Sequence, residues 1–251
     1  MLKPAQERIW HELALFFKAP CALPVLETMH NCGVMGCLFP TSNNEVQILN
    51  HYRNQESLLI EPEKTFPDFV DAFKESTFIN NQFLLKLSVL LQGLEQKTEF
   101  TSLPDEWNHR ASNAEIKFMV QSIKGARHLA GIDSGHALNP SEMYELTQTI
   151  HNELLASVVL FTSGNPLSKV VQLSNNILKF YYHQFLPAIN ERPLLNGEDL
   201  IHQLNLSPSP LFGKILNHVQ KEQVLGNITT HAEALKLARE LIQSPLTESK
   251  E

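Results

Sequence analysis

The chain has 251 residues, 43% of them hydrophobic, and carries 20 Lys and Arg against 27 Asp and Glu, a formal net charge of −7. That is enough apolar material for one large or two modest cored domains, so a disordered chain is excluded. The acidic balance excludes a protein that holds nucleic acid by its overall charge, and any RNA site has to be local. No run approaches the roughly eighteen apolar residues of a membrane span, and the opening MLKPAQERIW lacks the apolar stretch of a secretory signal. A cytoplasmic location is expected, with no membrane partner. Cys21, Cys32 and Cys37 are odd in number and form no C-x-x-C pair, so they are read as buried packing thiols rather than as a disulfide or zinc framework.

Apolar residues recur at helical spacing almost everywhere, while strict alternation never lasts more than a few positions, so the pattern predicts an all-α chain. The first helix is expected over 4–18, with Ile9, Leu13, Phe16 and Phe17 on one side and Ala19-Pro20 as its end. A second follows over 23–30. Residues 45–53 read as a helix, 54–65 as a polar loop, and 67–73 as a short helix. The stretch 80–94, with Phe83, Leu84, Leu87, Leu90 and Leu91, reads as a core helix. Next, Ser112 and Glu115 have the spacing of a capping box at the head of the most basic helix, 110–128. A glycine-containing loop at 130–139 precedes two long helices, 141–161 and 166–185, the second ending near Pro187.

The last fifty residues carry the most complete punctuation. Three short helices are expected at 197–204, 210–225 and 231–242. Pro208 and Pro210 stand before or at a first turn, Gly226 closes the second helix, and Thr229 or Thr230 with Glu233 caps the third. Gly213, one turn into the middle helix, is read as a place where another backbone approaches closely.

The order Gly197-x-Asp199-Leu200, then Pro208-x-Pro210-x-x-Gly213-x-x-Leu216, then Gly226-x-Ile228-Thr229-Thr230-x-x-Glu233-Ala234-Leu235 resembles the C-terminal tail of bacterial tRNA nucleotidyltransferases (CCA-adding enzymes) and their poly(A) polymerase relatives. One departure is Ser209, where the family usually has glycine between the prolines. At the other end Glu7, Arg8, Ile9, Glu12, Leu13, Ala19, Pro20, Leu26, Gly33, Val34, Leu38 and Pro40 are similar to the RNA-binding region that follows the family's catalytic head, and the segment around Ser112–Glu115 is similar to its L-S-N-A-E helix start. The resemblance implies RNA-binding helices over 1–40, a helical body over 41–130, a helical connection over 131–193, a tail over 194–243 and a disordered end over 244–251. It also implies that the head is cut away or was never present. Some relatives carry a His-Asp dipeptide of a phosphohydrolase module in the middle; this chain has none, and that activity is not expected.

Nucleotide transfer of this type needs an Asp-x-Asp pair on a strand to hold Mg²⁺ and a Gly-Ser turn for the triphosphate. Neither occurs. Asp68 and Asp71 have helical spacing and read as solvated acids. No cofactor is therefore expected on this chain, Mg²⁺ and CTP or ATP being implied only for a head, and the chain by itself is expected to add no nucleotides. Asp133, His136 and His128 could meet a metal if their loop folded back, but no helical pair of histidines supports them, and no metal site is expected. Cations make the better candidates. Arg110, Lys117 and Lys124 recur every seven residues and Arg127 follows one turn later, a row suited to successive phosphates. Arg8 on the first helix is weaker, and Lys214 and Lys221 are seven apart on the tail helix that carries Gly213 and that the resemblance places against the tRNA elbow. The expected partner is tRNA or another RNA 3′ end, together with a separate or missing head, and not DNA. A stand-alone helical scaffold that binds another protein is the alternative, supported by the acidic charge.

Overall fold

The computed structural model describes residues 6–38, 45–92, 111–133 and 135–243, and among these the secondary structure is helical, with no strand. None of the described helices is long and apolar enough to cross a membrane. The chain divides into two compact units, 1–137 with 150–178, and 138–149 with 179–251.

The first unit begins with α1, Gln6–Lys18, which stops where Ala19 and Pro20 cannot continue it and buries Leu13 and Phe17. Phe16 is only half-buried, and the side chain of Ile9 lies outside the described residues. α2, Leu23–Asn31, opens with Pro24 in its first turn, and Gly33 takes φ +72° just past its end. After α3, Met35–Leu38, the next helix corrects the expectation of a polar loop from residue 54: α4 runs over Glu45–Ile60. Two of the polar residues that suggested a loop, Gln55 and Glu56, are buried and hydrogen-bonded. Gln55 donates from Nε2 to the Leu85 carbonyl at 3.0 Å, and Glu56 accepts from the Ala22 amide at 2.8 Å. Polarity there marks internal hydrogen bonds, not solvent.

Two 3₁₀ turns, Pro62–Lys64 and Pro67–Phe69, lead into α5, Val70–Lys74, and then α6, Ser76–Gln92. α7, Asn113–Ala130, has the expected capping box: the Glu115 amide donates to Ser112 Oγ, and the Ser112 amide donates to the Glu115 carboxylate. At the centre of this unit is α9, Leu154–Gly164, buried from Leu154 through Ser163. A helix apolar on every side belongs inside a bundle, and α4, α6 and α7 pack around it. Its hydroxyls are satisfied locally: Ser157 and Ser163 each donate to the carbonyl four residues back at 2.7 Å, and Thr162 pairs with Ser174 at 2.7 Å.

One continuous helix over 141–161 is not what forms. α8, Pro140–Ile150, is capped by Asn139 and ends at a 3₁₀ turn, His151–Glu153, in which His151 takes φ +40°. This break falls where the chain passes from one unit to the other. α10, Ser168–Phe180, likewise does not stop at residue 185: a π-helical turn, Tyr181–Phe185, carries it into α11, Leu186–Asn190. The extra residue per turn accommodates Pro187, which sits in the first turn of α11, where its missing N–H is harmless.

The second unit ends in the three expected tail helices, α12 (Gly197–Leu204), α13 (Pro210–Val224) and α14 (His231–Gln243). Asn196 and Asp199 form a capping box before α12, and Asn205 ends it in the left-handed conformation. Gly226 turns the chain after α13 at φ +75°, and Thr230 caps α14 with Glu233 as its reciprocal partner. Leu195, Leu200, Ile215, Val219, Ala234 and Ala238 form their common core. The cysteines correct the reading of buried thiols: Cys21 and Cys32 are exposed, and the side chain of Cys37 lies outside the described residues.

Candidate nucleic-acid interface

α7 presents its cations because its other face is committed. Phe118, Met119, Ser122, Ile123, Ala126 and Leu129 are buried, which leaves Lys117, Gln121, Lys124 and His128 as one exposed stripe at intervals of four, three and four. Lys117 and Lys124 are about 10 Å apart along the axis at 1.5 Å per residue. The acid nearest in sequence, Glu115, is tied into the cap. Burial pushes the Glu153 carboxyl up, and the charge of Lys117 nearby opposes that shift.

What fixes the stripe is Gly125. A Cβ there would fall 2.2 Å from Ser157 Oγ, 2.7 Å from Ser157 Cβ and 2.9 Å from Ile150 Cγ2. α7 therefore lies on α9 at a separation only glycine allows, and rotating the helix to hide its lysines would break this contact.

The other candidates divide. The helix opens at Asn113, and Arg110, three residues earlier in the sequence, lies outside the described residues. Arg127 is half-buried. Arg8 is exposed on α1, and Lys18 of the same helix rests over the Phe83 ring at 5.1 Å. In the tail Lys214 is exposed, but Lys221 donates to Glu145 at 2.8 Å and lies over the Tyr144 ring at 5.9 Å, which removes it from any exposed pair with Lys214. Gly213 corrects the expectation of a tight approach, since it is exposed and a Cβ there would meet nothing within 4 Å. Asp68 and Asp71 are exposed, the latter bonded to Lys74. Asp133 accepts from the Gly135 amide in its own turn, and among the described residues no three His, Cys, Asp or Glu groups converge on a metal position.

One feature had no sequence signal. A cavity of about 320 Å³ opens in the first unit beside Arg127, lined also by His51, Ala130, Phe161, Gly164 and Asn165. His51 Nε2 lies 3.0 Å from both the Leu160 carbonyl and Ser163 Oγ, and burial pushes its imidazole down to about 4. His51 and Gly164 are brought together across more than a hundred residues, which no local pattern announces. Of this region the sequence showed only the helix start at residue 166.

The described residues thus form an all-helical body and a capped three-helix tail, with an outward cationic stripe on α7. Residues 88–238 match the family model described as tRNA nucleotidyltransferase domain 2, more than half of the chain, and the chain belongs to the tRNA nucleotidyltransferase family. It is 24% identical over 183 residues to a CCA-adding enzyme of Ligilactobacillus salivarius, covering 72% of this chain and 43% of that protein. It is 42% identical over 68 residues to a CC-adding tRNA nucleotidyltransferase of Synechocystis sp., covering 27% of this chain and 16% of that protein. The chain thus spans less than half the length of either relative. No solved structure matches it with significance.

Proposed function

We propose that this chain is the tRNA-binding body and tail of a tRNA nucleotidyltransferase, gripping tRNA while a catalytic head of the same family adds nucleotides at the 3′ end. The observation that carries this reading is the Lys117–Lys124 stripe, held outward by the Gly125 contact in a chain whose net charge would otherwise repel RNA. Addition of CC or CCA is preferred to poly(A) addition, because the names of both relatives point to it. Mg²⁺ and CTP or ATP belong to the head in this reading, and the location is cytoplasmic. Lys214 and the open backbone at Gly213 form a second contact on the tail, with Arg8 as a minor one. Since among the described residues nothing stands within 4 Å of a Cβ at Gly213, the approach its small size permits would be made by the RNA.

The test is fluorescence anisotropy of the purified chain with tRNA lacking its 3′ CCA, against an unstructured RNA of equal length. Tighter binding to the folded tRNA is expected. Equal affinity for both, or none for either, would remove the reading and leave the protein-binding scaffold as the account to pursue.

A further inference from the structure

We propose that the cavity between Arg127 and His51 holds a single unstacked nucleobase. The source of that base, a nucleotide of the bound tRNA, rests on the tRNA-binding reading; the chemistry of the cavity does not. At about 320 Å³ it lies at the small end of the range of about 300–1,000 Å³ typical of ligand pockets, room for one base with its sugar rather than two.

The walls suit a flat ring with a polar edge. Phe161, Ile132 and Ala130 are apolar, while His51, Asn165 and Arg127 bring hydrogen-bonding groups. The tautomer of His51 follows from its neighbours. The Leu160 carbonyl can only accept, and Ser163 Oγ lies 2.7 Å from the Val159 carbonyl, to which it donates its own proton. Nε2 therefore carries the hydrogen, and Nδ1 is left as an acceptor. Because burial holds the imidazole down to about 4, it stays neutral and accepting at neutral pH. Asn165 can both donate and accept, and a guanidinium only donates. A donor-and-acceptor edge beside an aromatic wall is how proteins read single unpaired bases. A phosphate would find one guanidinium and mostly apolar walls, leaving oxygens unmatched.

Gly164 keeps the space open, since a Cβ there would sit 3.2 Å from His51 Cε1 and 3.4 Å from its Nε2. Lys124 is exposed one turn before Arg127 on the same helix.

The experiment titrates the chain with AMP, CMP, GMP and UMP, and with inorganic phosphate as control, following protein NMR shifts up to about 10 mM, weak binding being expected of so small a ligand. Tryptophan at the exposed Ala130 fills the cavity without changing charge, and Ala130→Trp should abolish the shifts. His51→Phe keeps the ring shape, loses the acceptor and should weaken binding. At least one nucleotide is expected to bind, and phosphate alone to have no effect. A fall in tRNA affinity on the order of 10-fold in Ala130→Trp, the scale of one lost stacking contact, identifies the base as the RNA's; unchanged tRNA affinity identifies a free nucleotide as the ligand. No shift with any nucleotide, shifts equally produced by phosphate, or shifts surviving Ala130→Trp would overturn the proposal. If the chain bound nucleotides but no tRNA, the tRNA-binding reading would fail and the cavity's chemistry would stand.

Discussion

Gly125 lies against Ser157 so closely that a Cβ on it would stand 2.2 Å from the serine hydroxyl and 2.7 Å from its Cβ. Rotating the hydroxyl relieves the first contact but not the second. Gly125→Ala gains about 1 kcal/mol of helix propensity and forces apart two packed helices, an overpacking that typically costs about 1–3 kcal/mol. Net destabilisation is expected, read as a lower urea midpoint. Gly213 offers the opposite environment on a helix of the other unit, with nothing within 4 Å, so Gly213→Ala should raise stability by about 0.5–1 kcal/mol. If both variants move the midpoint in the same direction, the close approach at Gly125 is not as described.

His51 makes stability depend on pH. Its imidazole is depressed from the ordinary 6.5 to about 4 in the folded chain, chiefly by burial and despite its bond to the Leu160 carbonyl. Above about pH 6.5 the site is neutral folded or unfolded. Between 6.5 and about 4 the unfolded chain binds a proton that the folded chain refuses, so stability falls as pH falls, by up to about 3 kcal/mol. His51→Phe removes the site, and the stability difference between parent and variant should shift by that amount across this window. A difference that is constant from pH 7 to pH 4 would contradict the burial of this ring.

The buried pair Glu56 and Lys86 ties three segments together. Glu56 accepts from the Ala22 amide at 2.8 Å, Lys86 donates to the Ala19 carbonyl at 2.8 Å, and the two charges lie 3.9 Å apart. Glu56→Ala orphans an amide and leaves a buried ammonium without its counter-charge, so a loss of about 3–5 kcal/mol is expected. Glu56→Gln, which keeps the acceptor, should lose less. Equal losses in chemical denaturation would show that the charge plays no part.

Helix existence and capping were legible because the signals are local. Ser112–Glu115, Thr230–Glu233 and Gly226 form the structures their spacing predicts. The errors came where distant packing decides. Gln55 and Glu56 read as loop because their polarity is visible and their buried partners, Leu85 and Ala22, are not. His151 carries no breaker signal, yet it takes a left-handed φ where the chain changes units. Of the candidate site, the Lys117–Lys124 stripe follows from helical periodicity, but the engagement of Lys221 with Glu145 and the meeting of His51 with Gly164 depend on tertiary contacts. Glycine could be read as permission for close approach; which glycine used it, Gly125 and not Gly213, could not.

The central claim is tested most directly by the salt dependence of tRNA binding in the parent chain and in Lys117→Ala/Lys124→Ala. Both lysines are exposed on α7, and alanine is the best helix former, so the fold should survive. Each phosphate neutralised adds about −0.9 to the slope of log K against log salt on duplex RNA-like geometry, and about −0.7 on single strands. The double variant should bind more weakly, with a slope shallower by about one to two units. Affinity and slope equal to those of the parent would show that the stripe is only a solvated face and that this chain does not grip tRNA through α7.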